Sequence, residues 1–234
     1  MAVAVALTAA MAPAAADGRR PVVVELYTSQ GCSSCPPADA LLARLADRRD
    51  VIALSLPITY WDMLGWKDTL ASEDNTRRQK AYAQAMGHGG VYTPQMIVDG
   101  VRDVVGSREG AVEAAIAARQ SDASTVPVLL SSSGHELHVQ VGGADGHTQE
   151  ATVWLFDVLG KTTVGIRAGE NGGRSITYRN VVRSVRAIAI WKGQPLTLDL
   201  PSGELATEPR DAFAVVVQQS GYGQVLGAAF VAGP

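Results

Sequence analysis

Two cysteines, Cys32 and Cys35, are the only ones in the 234-residue chain, and they stand three positions apart at the junction of two opposite sequence textures. Before them, Val22-Val23-Val24-Glu25-Leu26-Tyr27 is a short β-branched apolar run, the pattern of a buried strand. Thr28 to Ser34 is a polar, Gly-containing turn. After it, Pro36 and Pro37 suit a first helical turn, where a missing N–H costs little. Ala38, Leu41, Leu42 and Leu45 then recur at helical spacing, which predicts an amphipathic helix over Cys35 to Arg48. Val51 to Leu56 reads as the next strand. Strand, helix and strand imply a parallel pair joined by a right-handed crossover.

That context constrains the chemistry of the pair. Structural disulfides close longer loops, where the entropic gain is larger, so a lone close pair points to thiol exchange or to metal binding. A cysteine at a helix N-terminus lies beside unpaired N–H groups and the positive end of the helix dipole, and both favour the thiolate. Cys32, ahead of the helix and expected to face solvent, is therefore the expected nucleophile and Cys35, one turn inward, the resolving thiol. Ser33 and Ser34 between them are candidate hydrogen-bond donors to the Cys32 thiolate. Two thiolates equally suit Cu(I), with Met63, Met86, Met96 or His88 as further ligands. A tetrahedral zinc site needs more ligands than this pair supplies.

Thr59 to Gly87 reads as a helical insertion. Trp61, Met63, Leu64 and Trp66 open it, and Ser72 to Met86 is its helical stretch. Tyr60, Trp61 and Trp66 fit an aromatic lip at the site or, better, core packing of the insertion. His88, among Gly87, Gly89 and Gly90, reads as an exposed loop residue or as a neighbour of the thiols. Gln95 to Val98 and Val101 to Val105 form two strands, joined by the hairpin signal Asp99-Gly100. Ser107 is the expected N-cap of a helix over Arg108 to Gln120.

Beyond Ser121 to Thr125 the texture changes. Short strands are expected at Val126 to Leu130, Glu136 to Val141, Ala151 to Val158, Thr162 to Arg167, Val185 to Trp191, Leu196 to Leu200, Ala212 to Gln218 and Val225 to Val231, with no helix. This half reads as an antiparallel β-sandwich. His135 and His138 would point to opposite faces of a strand and His147 stands in a loop, so the three make no chelate. Gly169 to Arg174 lacks the strand-to-helix context of a phosphate loop and reads as a β-turn. Its Glu and Arg are available for docking between the two halves.

The net charge of −3 argues against a nucleic-acid partner, because phosphate binding needs clustered cations. Arg174, Arg179, Arg183 and Arg186 read as a solvated strand face. Met1 to Ala16 is apolar and small, and Ala14-x-Ala16 fits a signal-peptidase site, although a basic n-region is missing ahead of it. Residues 1–16 are thus expected to be a signal peptide remnant and the protein periplasmic or secreted. No internal run is long enough to span a bilayer.

Val23 to Cys35 resembles the strand and active-site loop of the thioredoxin and glutaredoxin superfamily. Tyr92-Thr93-Pro94-Gln95-Met96-Ile97-Val98-Asp99-Gly100 independently resembles its cis-proline strand and following turn. The resemblance covers residues 21–120. It implies a thioredoxin-like α/β domain over 17–120, with the helical insertion at 59–87, followed by an all-β domain over 121–234. It further implies that Pro94 is cis and that Thr93 offers its backbone to an extended partner. The glutathione-holding turn of glutaredoxins has no counterpart, since that place reads Gly106-Ser107-Arg108-Glu109. Thioredoxins have Trp before the first cysteine and a buried Asp in the strand. Here Gly31 precedes Cys32, and Glu25, shifted in register, is a candidate proton acceptor or a solvated strand-end carboxylate. Over its full length the chain is similar to a family of secreted bacterial proteins with a domain of unknown function. Those proteins share the Gly31 to Asp39 motif, Gly169 to Arg174 and Asn180 to Arg183.

The expected function is an exported thiol–disulfide oxidoreductase acting on protein or small-molecule thiols and disulfides. It uses the Cys32–Cys35 disulfide and needs no other cofactor. A periplasmic Cu(I)-binding protein using the same thiolates, or a non-catalytic interaction module, is the alternative.

Overall fold

The computed structural model describes residues 20–121, 126–133, 136–144, 146, 149–201 and 210–233. The leader reading of residues 1–16, and His135 and His147, lie outside the described residues.

The chain folds as mixed α/β. Strand β1 (Val22–Thr28) leads through the cysteine turn into helix α1 (Pro36–Leu45), then β2 (Val51–Pro57). A short 3-10 turn over Asp62–Leu64 and helix α2 (Glu73–Ala85) follow, then β3 (Gln95–Val98), β4 (Arg102–Val105) and α3 (Glu109–Gln120). The later strands are β5 (Val128–Ser133), β6 (Glu136–Val141), β7 (Ala151–Gly165), β8 (Ser175–Trp191), β9 (Leu196–Pro201), β10 (Ala212–Gln219) and β11 (Val225–Ala232).

Eight strands share one sheet in the order β11-β10-β7-β8-β2-β1-β3-β4, and β5-β6-β9 form a second, smaller sheet. β1 and β2 run parallel, as the strand–helix–strand pattern requires, and β3 runs antiparallel to β1 with Tyr27 opposite Gln95. The β-rich half is not a layer apart. β8 joins β2 in parallel at Ser55–Val181. At that seam Asn180, at φ 47°, turns its amide to donate to the Ala53 carbonyl at 2.9 Å.

Alternation along β1 sorts its side chains onto two faces. Val22, Val24 and Leu26 pack on Leu41, Leu42 and Leu45 of α1 and on Val112 and Ile116 of α3. Each such buried aliphatic side chain stabilises the fold by about 1.5–3 kcal/mol. Val23 and Tyr27 face the other way, toward Tyr82 of α2 and Phe156, Ala214 and Val216 of the β-rich half. Phe213, Val215 and Val217, on the opposite face of β10, pack with Leu137, Val139 and Val141 of the small sheet. That pair of layers is the sandwich-like part of the fold.

Several boundaries differ from expectation. α1 ends at Leu45, with Ala46 as its C-cap, rather than at Arg48. Ser72 caps α2, its side chain accepting from the Asn75 N–H, and α3 is capped by Arg108 and not by Ser107. β7 runs unbroken from Ala151 to Gly165 and β8 begins at Ser175, ten residues before the expected start at Val185. The two pair as one long hairpin from Ala151–Trp191 to Gly165–Ser175, and at the interruption the Gly160 N–H donates to the Asp211 carboxylate. Among the described residues no helix is long and apolar enough to cross a membrane.

Candidate functional site

The site lies where β1 ends. Cys35 is the N-cap residue of α1, with Pro36 and Pro37 in the first turn and no side-chain cap. Cys32 and Cys35 are joined in a disulfide, their Cα atoms 5.4 Å apart. Cys32 does not face solvent as expected: it is 1 % exposed, its loop being held by Asn171 and Ser29, and Cys35 is fully buried, while Ser33 and Ser34 are exposed. The Ser34 hydroxyl lies 3.4 Å from Cys32 Sγ, and since a disulfide sulfur carries no proton the hydroxyl donates.

Gln30 anchors the loop from one side. Its N–H donates to Asp68 Oδ2 at 2.8 Å, and its Oε1 accepts from Trp66 Nε1 at 2.8 Å. Trp61 lies against the loop as well, since a Cβ added at Gly31 would meet Trp61 Cβ at 3.3 Å. Trp61 Nε1 in turn donates to Thr93 Oγ1 at 2.8 Å. The Thr93–Pro94 peptide is cis, and it immediately precedes β3, whose start pairs with the end of β1. Trp61 therefore bridges the cysteine loop and the Thr93–Pro94 segment. The two indoles sit partly buried with their N–H groups bonded around the loop, and Tyr60 and Trp61 also pack against the core, as expected of the insertion.

The other side is held by the tip of the β7–β8 hairpin. Asn171, buried, donates through Nδ2 to the carbonyl oxygens of Gln30 at 2.9 Å and Cys32 at 2.8 Å. Glu170 Oε2 accepts from the Ser33 N–H at 3.2 Å. Gly169 packs on Trp66, where an added Cβ would come within 3.2 Å of Trp66 Cβ. The Gly169–Arg174 segment is a turn, closed by Gly172 N–H to Gly169 O and Gly173 N–H to Ile166 O.

Beneath the loop lies a buried acidic pair. Asp39 follows Cys35 by one helical turn, and its N–H donates to the Cys35 carbonyl at 3.1 Å. Burial pushes its carboxyl up to about 7, against the Thr28 hydroxyl that donates to Oδ1 at 2.8 Å. Oδ2 has no partner. Burial likewise raises Asp68 to about 6, although the N–H groups of Gln30 and Leu70 oppose the rise. Tyr178 of β8 is raised first by burial and then by the charges of both carboxylates. Asp39 thus holds or releases a proton near neutral pH, one turn from Cys35.

Glu25 lies elsewhere. It is neither solvated nor on the α1 face of β1. It is 1 % exposed and bonded to Arg78 at 2.6 and 2.9 Å, to the Tyr82 hydroxyl at 2.6 Å and to the Tyr27 hydroxyl at 3.1 Å. Arg78 also reaches Gln218 of β10 at 3.1 Å and stacks over Trp154 and Phe156 of β7. His88 Nδ1 lies 3.0 Å from Asp103 Oδ2. Of the soft ligands, Met96 is buried in the core under α1, Met63 is 84 % exposed and Met86 caps α2. Among the described residues no three His, Cys, Asp or Glu side chains group to hold a metal ion. His138 pairs with Asp199 at 2.6 Å on the exposed face of the small sheet.

Sequence reasoning missed Asp39, Asp68, Gln30 and Asn171. Asp39 was open to discovery. It lies four residues after Cys35 and three before Leu42, so helical spacing puts it on the apolar face. Asn171 carried no such signal, because its contact with Cys32 spans 139 positions of sequence.

The fold and site define a mixed α/β protein with a disulfide-bonded Cys-Ser-Ser-Cys turn clasped by a β-hairpin. The chain belongs to the DUF1223 family, described as a protein of unknown function, whose profile matches residues 23–218. A crystal structure of a protein from Agrobacterium tumefaciens, solved by structural genomics, is similar at 34% identity and TM-score 0.80, covering 92% of this chain and 96% of that one. HBP35 of Porphyromonas gingivalis is similar in fold alone, at 12% identity and TM-score 0.63, covering 91% of this chain and 75% of its own. No curated protein matches the sequence.

Proposed function

We propose that this protein is an exported thiol–disulfide oxidoreductase of thioredoxin type. The observation that carries the reading is the position of the Cys32–Cys35 disulfide, in the turn between β1 and the N-terminus of α1, with Cys35 as the cap residue. The order β2-β1-β3-β4, with a cis Thr93–Pro94 leading into β3, supports it. So does Trp61, which ties Thr93 to the cysteine loop. Export rests on the apolar run Met1 to Ala16 alone.

In the reductive direction the Cys32 thiolate attacks one sulfur of a partner disulfide and the other sulfur leaves as a thiolate. The Cys35 thiol then gives up its proton and attacks Cys32 Sγ, which releases the partner's second sulfur. Two electrons pass to the partner and the Cys32–Cys35 disulfide forms. The reverse sequence oxidises a partner dithiol. Thr93 and Pro94 orient the partner segment.

Insulin disulfide reduction by wild type and Cys32→Ser, with a Cu(I) titration of the reduced protein alongside, tests this. Turnover that disappears with Cys32 is the expected result. Stoichiometric, tight Cu(I) binding without turnover would overturn it in favour of a copper-handling protein, a role to which two thiolates are suited.

A further inference from the structure

Few backbone donors are left for a Cys32 thiolate. Helix N-termini favour thiolates because their first N–H groups lack intrahelical partners. Here Pro36 and Pro37 occupy the first turn and have no N–H. The Ala38 N–H turns back to the Cys35 carbonyl at 2.9 Å, and the Cys35 N–H to the Cys32 carbonyl at 3.2 Å. The Cys32 N–H is bonded to the Ser29 carbonyl at 3.1 Å. The Ser33 N–H, between the two cysteines, is taken by the Glu170 carboxylate at 3.2 Å. Glu170 is exposed, yet Asn171 beside it is buried and pinned to Gln30 and Cys32, so the carboxylate is carried on a fixed hairpin tip.

From this we infer that Glu170 is a positioning residue that sets the redox poise of the Cys32–Cys35 pair. By holding the Ser33 amide and standing as a negative charge beside Cys32, it disfavours the thiolate. A couple whose reduced form is less stabilised sits further toward the disulfide and is the stronger reductant. The other titratable groups about the loop are Asp39 on α1, Asp62 and Asp68 on the segment before α2, Tyr178 on β8, and Arg167 and Arg174 at the hairpin tip. Of these, Asp39 and Asp68 are buried, whereas Glu170 is exposed. The inference rests on the redox reading of the pair, but its test does not need turnover.

The test is the variant Glu170→Gln, which keeps an oxygen acceptor for Ser33 and removes only the charge. In a Cys35→Ser background, thiolate ultraviolet absorbance followed against pH gives the Cys32 titration. In the otherwise wild-type chain, equilibration with a glutathione buffer gives the couple: the disulfide plus two glutathione thiols yields the dithiol plus glutathione disulfide. Glu170→Gln is expected to lower the Cys32 titration midpoint and to raise the glutathione equilibrium constant toward dithiol about threefold or more, about 15 mV or more. Both effects should shrink at about 1 M salt, because an exposed charge is screened there and a packing change is not. A Glu170→Gln protein with the wild-type titration and equilibrium, a shift of opposite sign, or a shift indifferent to salt overturns the inference. If the titration moves while insulin reduction is absent in wild type, the charge effect stands and the proposed catalysis falls.

Discussion

Asn171 Nδ2 donates to the carbonyl oxygen of Cys32 at 2.8 Å, linking a hairpin tip in the β-rich half to the residue proposed as nucleophile. The same amide group holds the Gln30 carbonyl, so one buried side chain fixes both ends of the Gln30–Cys32 segment. Replacing it by Ala strips a partner from two buried carbonyls, a loss of about 1–3 kcal/mol. Asn171→Ala is therefore expected to lower stability by about that amount in urea unfolding, with the secondary structure retained by circular dichroism. A wild-type unfolding midpoint would contradict the account of the clasp.

Asp39 gives the protein a pH-dependent stability with a definite sign. Its carboxyl is raised from 3.8 to about 7 by burial. Below about pH 4 it is protonated folded and unfolded alike. Between about pH 4 and 7 the unfolded chain ionises while the folded one holds its proton, so stability falls as pH rises, by up to about 4 kcal/mol, and levels off above about 7. Asp68, raised to about 6, adds to the decline over the lower part of that window. Asp39→Asn keeps an acceptor for the Thr28 hydroxyl and cannot ionise. It should flatten the decline between about pH 4 and 7 in thermal melts. A variant that tracks wild type across that range would exclude a buried, proton-holding Asp39.

Glu25 and Arg78 carry no catalytic assignment and a large structural one. Both are 2 % exposed or less, and Arg78 reaches from α2 to Gln218 on β10. Removing one partner of a buried pair leaves a stranded charge and costs about 3–5 kcal/mol. Arg78→Met is expected to destabilise by that order in guanidinium unfolding. The double variant Glu25→Gln/Arg78→Met should recover a large part of the loss, because no charge is then left buried. Additive losses would contradict the pairing.

These residues also mark how far the sequence reached. The strand, cysteine turn, helix and strand were legible because a continuous β-branched apolar run gives way to helical spacing after Pro36, and the Asp99-Gly100 hairpin because few residues accept its backbone, at φ 50° and 75°. The shared sheet was harder to read. Its signal is the unbroken apolar run Ala212 to Val217, which alternation does not explain and which marks a strand covered on both faces. Burial of Glu25 was invisible, since its partners Arg78 and Tyr82 lie 53 and 57 residues away. The clasp on the cysteine loop was hidden for the same reason. A turn such as Gly169 to Arg174 is recognisable locally, but what it touches is decided by the length and register of the β7–β8 hairpin beneath it.

Capture of a partner on Cys32 tests the central claim most directly. In a Cys35→Ser variant the resolving thiol is gone, so a mixed disulfide with the partner persists and can be identified by mass spectrometry after purification from the oxidising compartment of the producing cell. The account predicts a covalent adduct through Cys32, released by reductant and lost in the Cys32→Ser/Cys35→Ser double variant. A Cys35→Ser protein recovered entirely as free thiol under the same conditions, and inert toward added insulin or oxidised glutathione, would contradict it.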